Sequence, residues 1–382
     1  MKNNSGFNSK CVHAGTAMQK ETNAANTPIV ASTAFRYLDT QMQYPRMFNL
    51  VNQMAVANKI AAIEYAETGL IFSSGMGVIS AVLMTFLKPG DELVIQSNIY
   101  GGTYMFIHGE LNKIGVTLKV FPTEIDVNIE DYITPKTKMV YIETPANPLL
   151  DIVDIEKITS VCKAHNLLSV IDNTFASPYC QNPINLGVDL VMHSGTKYLA
   201  GHSDVMFGAV VGTQELIEKI RPTAMAYGSV LDAKAASDAE KSIKTLGLRM
   251  KKHTENAQEI AEILSKHPKV NKVFYPGLPN HKGHDVAKKQ MRAYGAIVSF
   301  ELHDSVNAVD FQKNLEFIMP SVSLGGVESL ITSPFLTSHK FVSPEDRQKM
   351  GISDQMLRLS VGIEEVEDIM FDINQAIEKL SK

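Results

Sequence analysis

The sequence predicts an α/β protein: a large, mainly parallel β-sheet covered by helices on both faces, followed by a smaller α+β unit. Two observations carry this. Between about residues 49 and 213, short continuous apolar runs alternate with helix-forming stretches, as expected of parallel strands buried on both faces. From about residue 228 the helical content rises and strand candidates become sparse. The buried-strand candidates of the first region are residues 70–72, 92–96, 117–121, 139–143, 168–171, 190–193 and 208–211. Helices are expected over 52–66, 78–87 and 154–166, where apolar residues recur at helical spacing. The second region opens with a long helical stretch, 232–267, with an interruption expected near Gly247. Pro268, Pro276 and Pro279 mark turns, and strands are expected over 295–302 and 357–361. The last helix carries Val366, Ile369, Ile373, Ile377 and Leu380 at three- and four-residue steps, a stripe suited to packing on a small sheet.

Ahead of these lie residues 1–46, rich in Asn, Thr, Ser and Gly and expected to be irregular. Ala34, Phe35, Tyr37 and Leu38 give this arm apolar handles for packing on something else, such as another subunit. The predicted organisation is therefore an arm over 1–46, a cofactor-binding α/β unit over 47–234 and a C-terminal α+β unit over 235–382.

The chain has 382 residues, enough for two domains with sizeable cores. Its 36 Lys and Arg against 41 Asp and Glu give a formal charge of −5, which argues against a general nucleic-acid or anionic-membrane binder. Cys11, Cys162 and Cys180 form neither a zinc-ligand pattern nor a disulfide framework, so no metal is expected. The first ten residues are polar, unlike a signal peptide, and no apolar run approaches the ~18 residues of a membrane span. The expectation is a cytoplasmic protein.

Asp172 stands at the exit of the apolar run 168–171, where a carboxylate needs a partner. Taken alone it reads equally as a turn residue of Asp172-Asn173-Thr174. Lys197, in Ser194-Gly195-Thr196-Lys197, follows the apolar run 190–193 and alone reads as a surface loop. A carboxylate and a lysine at two strand exits facing one pocket match what pyridoxal phosphate requires. The amine forms a Schiff base with the aldehyde, and the carboxylate keeps the ring nitrogen protonated so that the ring accepts electrons. The Ser194 and Thr196 hydroxyls suit a phosphate. Ser73-Ser74-Gly75-Met76-Gly77 adds a glycine turn before a helix, whose free N–H groups favour a phosphate dianion. It is not the dinucleotide fingerprint, because Ser73 replaces the first glycine. Tyr100, before Gly101-Gly102, could stack on a flat ring or simply pack half-buried.

With these residues in view, the chain resembles the cystathionine/methionine-metabolism (trans-sulfuration) family of pyridoxal-phosphate enzymes, from Val12-His13-Ala14-Gly15 to the C-terminus. The family includes cystathionine γ-synthase, cystathionine lyases, methionine γ-lyase and homoserine-ester sulfhydrylases. The resemblance is carried by the run Ser194-Gly195-Thr196-Lys197-Tyr198-Leu199-Ala200-Gly201-His202-Ser203-Asp204. Further motifs are Glu143-Thr144-Pro145-Ala146-Asn147-Pro148, Asp172-Asn173-Thr174-Phe175-Ala176, Tyr100-Gly101-Gly102-Thr103 and Ser323-Leu324-Gly325-Gly326-Val327-Glu328-Ser329-Leu330. It implies the type I, aspartate-aminotransferase-like fold. It also implies that Lys197 is the Schiff-base lysine and proton shuttle, Asp172 the partner of the ring nitrogen, and Tyr100 the stacking residue and an aid to proton transfer. Gly75, Met76, Ser194 and Thr196 would hold the phosphate, and Asn147, Ser323 and Arg358 the substrate carboxylate. Arg358 suits that role because guanidinium clamps carboxylates with two parallel bonds. Tyr44 and Arg46 match a family pair that reaches the phosphate of a neighbouring subunit, implying a homo-oligomer, a tetramer built as a dimer of dimers.

The sequence also departs from the family. After Arg46 the usual Asn-Pro-Thr is replaced by Asn49-Leu50-Val51, and the arm before Tyr44 is shorter. Gly102 stands where many methionine γ-lyases have cysteine, Val322 replaces a common glutamate, and Leu324 replaces the tryptophan of many β-lyases. These changes make the pocket more apolar and favour a small thioether or a broad substrate range. The implied activity is a carbon–sulfur lyase acting on cystathionine or methionine. The alternative within this chemistry is a γ-replacement enzyme using an O-acyl-homoserine; outside it stand a nicotinamide-dependent oxidoreductase and a catalytically silent binding protein.

Overall fold

A computed structural model describes residues 5–17, 23–123, 126–337, 340, 345, 347 and 351–380. The first sheet has seven strands: β1 (Thr68–Phe72), β2 (Glu92–Gln96), β3 (Thr117–Phe121), β4 (Thr137–Glu143), β5 (Leu168–Asp172), β6 (Leu190–Ser194) and β7 (Gly208–Gly212). Their order is β1-β7-β6-β5-β4-β2-β3. The pairs from β6 through β3 are parallel, and β7 runs against both of its neighbours. The mainly parallel sheet read from the sequence is thus present, with every strand candidate in place.

Two apolar layers sandwich the sheet. On one face Ile71, Val140, Ile142, Ile171 and Val191 pack with Ile60 and Ile63 of the helix Val51–Glu64. On the other, Leu70, Tyr141, Val170 and Met192 pack with Val78, Val82 and Leu83 of the helix Gly75–Phe86. Successive side chains alternate between the faces, so a strand covered twice must be apolar at every position. This is why most of the strands show as short apolar runs, whereas the edge strand β3 is largely exposed.

The second sheet joins β8 (Val270–Phe274), β9 (Ile297–Leu302), β10 (Met319–Pro320), β11 (Leu330–Thr332) and β12 (Met356–Ser360) in the order β10-β11-β12-β9-β8. The two strands expected from sequence are its adjacent β9 and β12. The C-terminal helix Val366–Lys379 buries Val366, Ile369, Ile373 and Ile377, as its stripe predicts.

Three local expectations change. The helix expected from residue 78 begins at Gly75, because the Ser74 hydroxyl caps it by accepting the Gly77 N–H at 3.0 Å. The stretch 232–267 forms two helices, Ala233–Ile243 and Leu246–Leu264, so the interruption expected near Gly247 falls just before it, at Lys244–Thr245. Gly247 lies inside the second helix, where a Cβ would come within 1.8 Å of Asn8 Oδ1. It packs against Asn8 and Phe7 of the arm helix and does not end a helix. Finally, the arm is not wholly irregular: Phe7–His13 is a helix with Cys11 fully buried. Among the described residues, no helix is long and apolar enough to cross a membrane.

Candidate active site

Parallel strands deliver their carboxyl ends to one edge of a sheet, and ligands bind in the crevice outside those ends. Here that crevice is a cavity of about 1540 Å³. Glu143 ends β4, Asp172 ends β5 and Ser194 ends β6, and all three line it. The structure brings together Gly75, Met76, Tyr100, Asn147, Asp172, Ser194, Thr196, Lys197, Ser323 and Arg358 as residues of this one cavity. Tyr44 and Arg46 are not among them. They line a separate hollow with Phe35, Met42 and Met225, the Arg46 guanidinium 5.7 Å from the Tyr44 ring.

Lys197 sits in the tight turn leaving β6. Its N–H donates to Ser194 O at 3.2 Å, and Thr196 is tied to Phe207 by Thr196 N–H to Phe207 O at 3.1 Å and Phe207 N–H to Thr196 Oγ1 at 3.1 Å. Gly195 is required beneath the Phe207 ring, where a Cβ would lie 2.3 Å from a ring carbon. The Lys197 amine is 3.4 Å from Ser323 Oγ. Burial, then the nearby Arg358 charge, lower its pKa, so the amine sheds its proton more readily than a surface lysine.

Asp172 is buried, which pushes its carboxyl up. Against this, Asp172 Oδ1 accepts the Thr174 N–H at 3.0 Å and the Thr174 hydroxyl, and His193 contributes favourably. Thr174 Oγ1 in turn accepts the Ser194 N–H at 2.8 Å, tying the acidic residue to the lysine turn. Thr174 and Ser74 were given no role by sequence; they serve through local hydrogen bonds that a residue pattern does not display.

On the far wall, Arg358 projects from the middle of the second sheet and is only 6% exposed. Its Nη1 donates to Asn147 Oδ1 at 2.8 Å, and its Nε is buried with no hydrogen-bond partner. Burial lowers its pKa to about 10, still far above neutrality. The Ser323 loop docks on the lysine turn: Gly325, at φ +79°, would place a Cβ 2.8 Å from Tyr198 N. Tyr100 donates its N–H to Glu143 Oε2 at 2.8 Å, and its ring lies across Gly102, where a Cβ would come within 2.5 Å of it.

The Cys/Met metabolism PLP-dependent enzyme family matches residues 8–378. The chain belongs to this family. It is 41% identical to the cystathionine beta-lyase of Lactococcus lactis subsp. cremoris over 97% of this chain and 98% of that one. It is likewise 41% identical to the L-methionine gamma-lyase of Fusobacterium nucleatum, over 98% and 99%. The crystal structure of cystathionine gamma-lyase from Lactobacillus plantarum complexed with L-serine superposes with a TM-score of 0.95 at 39% identity, covering 99% of this chain and 100% of the other. The type I fold follows, and the protein is a pyridoxal-phosphate-dependent enzyme, a carbon–sulfur lyase. The nicotinamide and silent-binder alternatives fall away.

The residues present fit that cofactor. The capped helix Gly75–Phe86 opens on the cavity with the first-turn N–H groups of Gly75 and Met76, which no intrahelical carbonyl accepts. The space there is kept by a glycine: a Cβ on Gly75 would approach Ser194 Cβ to 3.0 Å. A buried carboxyl, an amine of lowered pKa and an orphaned buried guanidinium N–H complete the donor and acceptor set.

Proposed function

We propose that this enzyme cleaves a carbon–sulfur bond of cystathionine or methionine, releasing a 2-oxo acid, ammonia and a thiol. The observation that carries the reading is that the Lys197 amine, the Asp172 carboxyl and the Arg358 guanidinium open on one cavity from two different sheets.

Pyridoxal phosphate supplies an aldehyde that bonds to an amine and a ring that draws electrons from the adjoining carbon. Lys197 would hold the cofactor through its amine, and that amine would take the substrate's α-proton. Its lowered pKa serves both tasks, since only an uncharged amine is a nucleophile or a base. Asp172 would keep the ring nitrogen protonated. Tyr100, whose own ring lies across Gly102, would stack on the cofactor and assist proton transfer. Gly75, Met76, Ser194 and Thr196 would hold the phosphate. Arg358 and Asn147, already bonded to one another, receive the substrate carboxylate with Ser323 beside them. That fixes the α-carbon near the lysine.

Val322 and Leu324 give the cavity wall two apolar side chains, which supports a small thioether or a broad substrate range. Tyr44 and Arg46 serve the cavity of a neighbouring copy in a tetramer of paired dimers. Their place outside this chain's own cavity supports that reading, as do Tyr37, Leu38 and Met42, each more than half exposed on the arm. The test is a product assay with cystathionine, methionine, cysteine and O-acyl-homoserines. A 2-oxo acid with a thiol from cystathionine or methionine is expected. A new thioether made from an O-acyl-homoserine, with no elimination, would mark a γ-replacement enzyme instead.

A further inference from the structure

Glu64 ends the helix Val51–Glu64 behind the large sheet and is fully buried, yet the mechanism above gives it no part. The strands present Ile71, Ile142, Ile171 and Val191 on that face, and an apolar side chain there would avoid the cost of burying a charge. The Glu64 carboxylate instead collects donors from two adjacent strand exits. Its Oε1 accepts Asn173 Nδ2 at 2.7 Å and lies 2.7 Å from His193 Nε2. Asn173 is the residue after Asp172, and His193 is the residue before Ser194. Asp172 and Met192 are register partners in β5 and β6, and the Asn173 N–H donates to Met192 O at 2.9 Å. The two donors that meet on one oxygen therefore sit where both strands open on the cavity. Asn173 Oδ1 in turn accepts Gln181 Nε2 at 3.1 Å, and the same Gln181 amide donates to Thr144 O at 3.1 Å, at the exit of β4.

We propose that Glu64 is a positioning residue: from behind the sheet it bolts the exits of β5 and β6 together and so sets the distance between the Asp172 carboxyl and the Lys197 turn, across which the cofactor ring must fit. On the cavity side Thr174 makes the matching tie, its Oγ1 accepting the Ser194 N–H at 2.8 Å. Ties on opposite faces keep the two exits from splaying or twisting apart. A misplacement of about 1 Å at a reacting centre can cost roughly 100-fold in rate, so a group outside the cavity can govern kcat. The substrate carboxylate is received elsewhere, by Arg358 and Asn147, so KM should be spared. This rests on the cofactor reading of Lys197 and Asp172 given above.

The test compares wild-type holoenzyme with Glu64→Leu, Glu64→Gln and Asn182→Ala. Glu64→Leu should lower kcat by about tenfold or more and change KM by less than about twofold. Glu64→Gln should bring kcat back to within about threefold of wild type. Its oxygen can face the two strand exits while its amide faces Asn182, whose Oδ1 has no hydrogen-bond partner. Asn182→Ala is the control for lost stability, because Asn182 Nδ2 donates to Glu64 Oε2, Ile63 O and Pro178 O and to neither strand exit. Its melting temperature should fall while kcat stays within about twofold of wild type. In the cofactor-stripped chains, main-chain hydrogen exchange at Asn173 and Ser194 should quicken in Glu64→Leu and not in Asn182→Ala. If Glu64→Leu does not fold, Asn173→Ala, which frees the β5 exit alone, should lower kcat by about threefold or more. A normal kcat in the deciding variant, or an equal loss of kcat in Asn182→Ala, would mark Glu64 as merely structural and overturn the proposal while the cofactor reading stands. A wild-type protein that takes up no pyridoxal phosphate overturns both.

Discussion

Arg358 Nη1 donates to Asn147 Oδ1 at 2.8 Å, a bond between β12 of the second sheet and the loop after β4 of the first. It joins residues 211 positions apart, and it pre-sets the guanidinium before any ligand arrives. The same side chain is buried with an Nε that bonds to nothing. A buried cation with a spare donor is costly unless an anion completes it.

Arg358→Lys should therefore raise KM for an amino-acid substrate by about 100-fold, since a point charge cannot reproduce the planar fork. Steady-state kinetics on the purified variant measure this. An unchanged KM would mean that the substrate carboxylate binds elsewhere.

Arg358 also bears on the lysine. Its charge helps to lower the Lys197 pKa. An amine is uncharged above its pKa, so a lowered value makes Lys197 reactive closer to neutral pH. Removing the charge in Arg358→Met should raise that pKa and move the pH midpoint for pyridoxal phosphate uptake by the cofactor-stripped chain upwards. Lys197→Ala should give no Schiff-base absorbance band and no turnover at any pH. A midpoint that moves down in Arg358→Met would contradict the electrostatic account.

Gly75→Ala should weaken cofactor binding by about tenfold or more, because the new methyl group meets Ser194 Cβ at 3.0 Å where a phosphate would be held. The dissociation constant of the cofactor, from absorbance titration, is the measurement. Substrate KM at saturating cofactor should change much less.

On the opposite face of the sheet, Glu64 is fully buried and accepts from Asn173 Nδ2 at 2.7 Å and Asn182 Nδ2 at 3.0 Å, with His193 Nε2 at 2.7 Å. Glu64→Leu removes the partner of His193 Nε2 and one of the acceptors shared by Asn173 and Asn182, which keep main-chain carbonyls, and should cost about 1–3 kcal/mol. Denaturant unfolding followed by circular dichroism would report it. Replacing the exposed Glu110, paired with Lys113, should leave the midpoint nearly unchanged.

Most strands of the large sheet were legible because double burial makes them short apolar runs, as in 70–72; the edge strand β3 is largely exposed. Asp172 and Lys197 stood out as a charged side chain soon after such a run. The same rule applied to β4 points to Glu143, which ends it as Asp172 ends β5. The role of Ser74 was hidden because capping depends on one hydroxyl geometry rather than on composition. β8, β10 and β11 went unseen: β10 and β11 have two and three residues, too few for a period to register, and β8 is largely solvent-facing. The clamp between Asn147 and Arg358 could not be read from spacing at all. It exists only because the second sheet folds over the first.

The seat of Gly325 against the Lys197 main chain has a consequence for how the enzyme is assembled. The amine's turn is built by one sheet and roofed by a loop of the other, through a contact with no room for a single extra methyl group. Cofactor colour should therefore be a late arrival during refolding, appearing only once both halves have met.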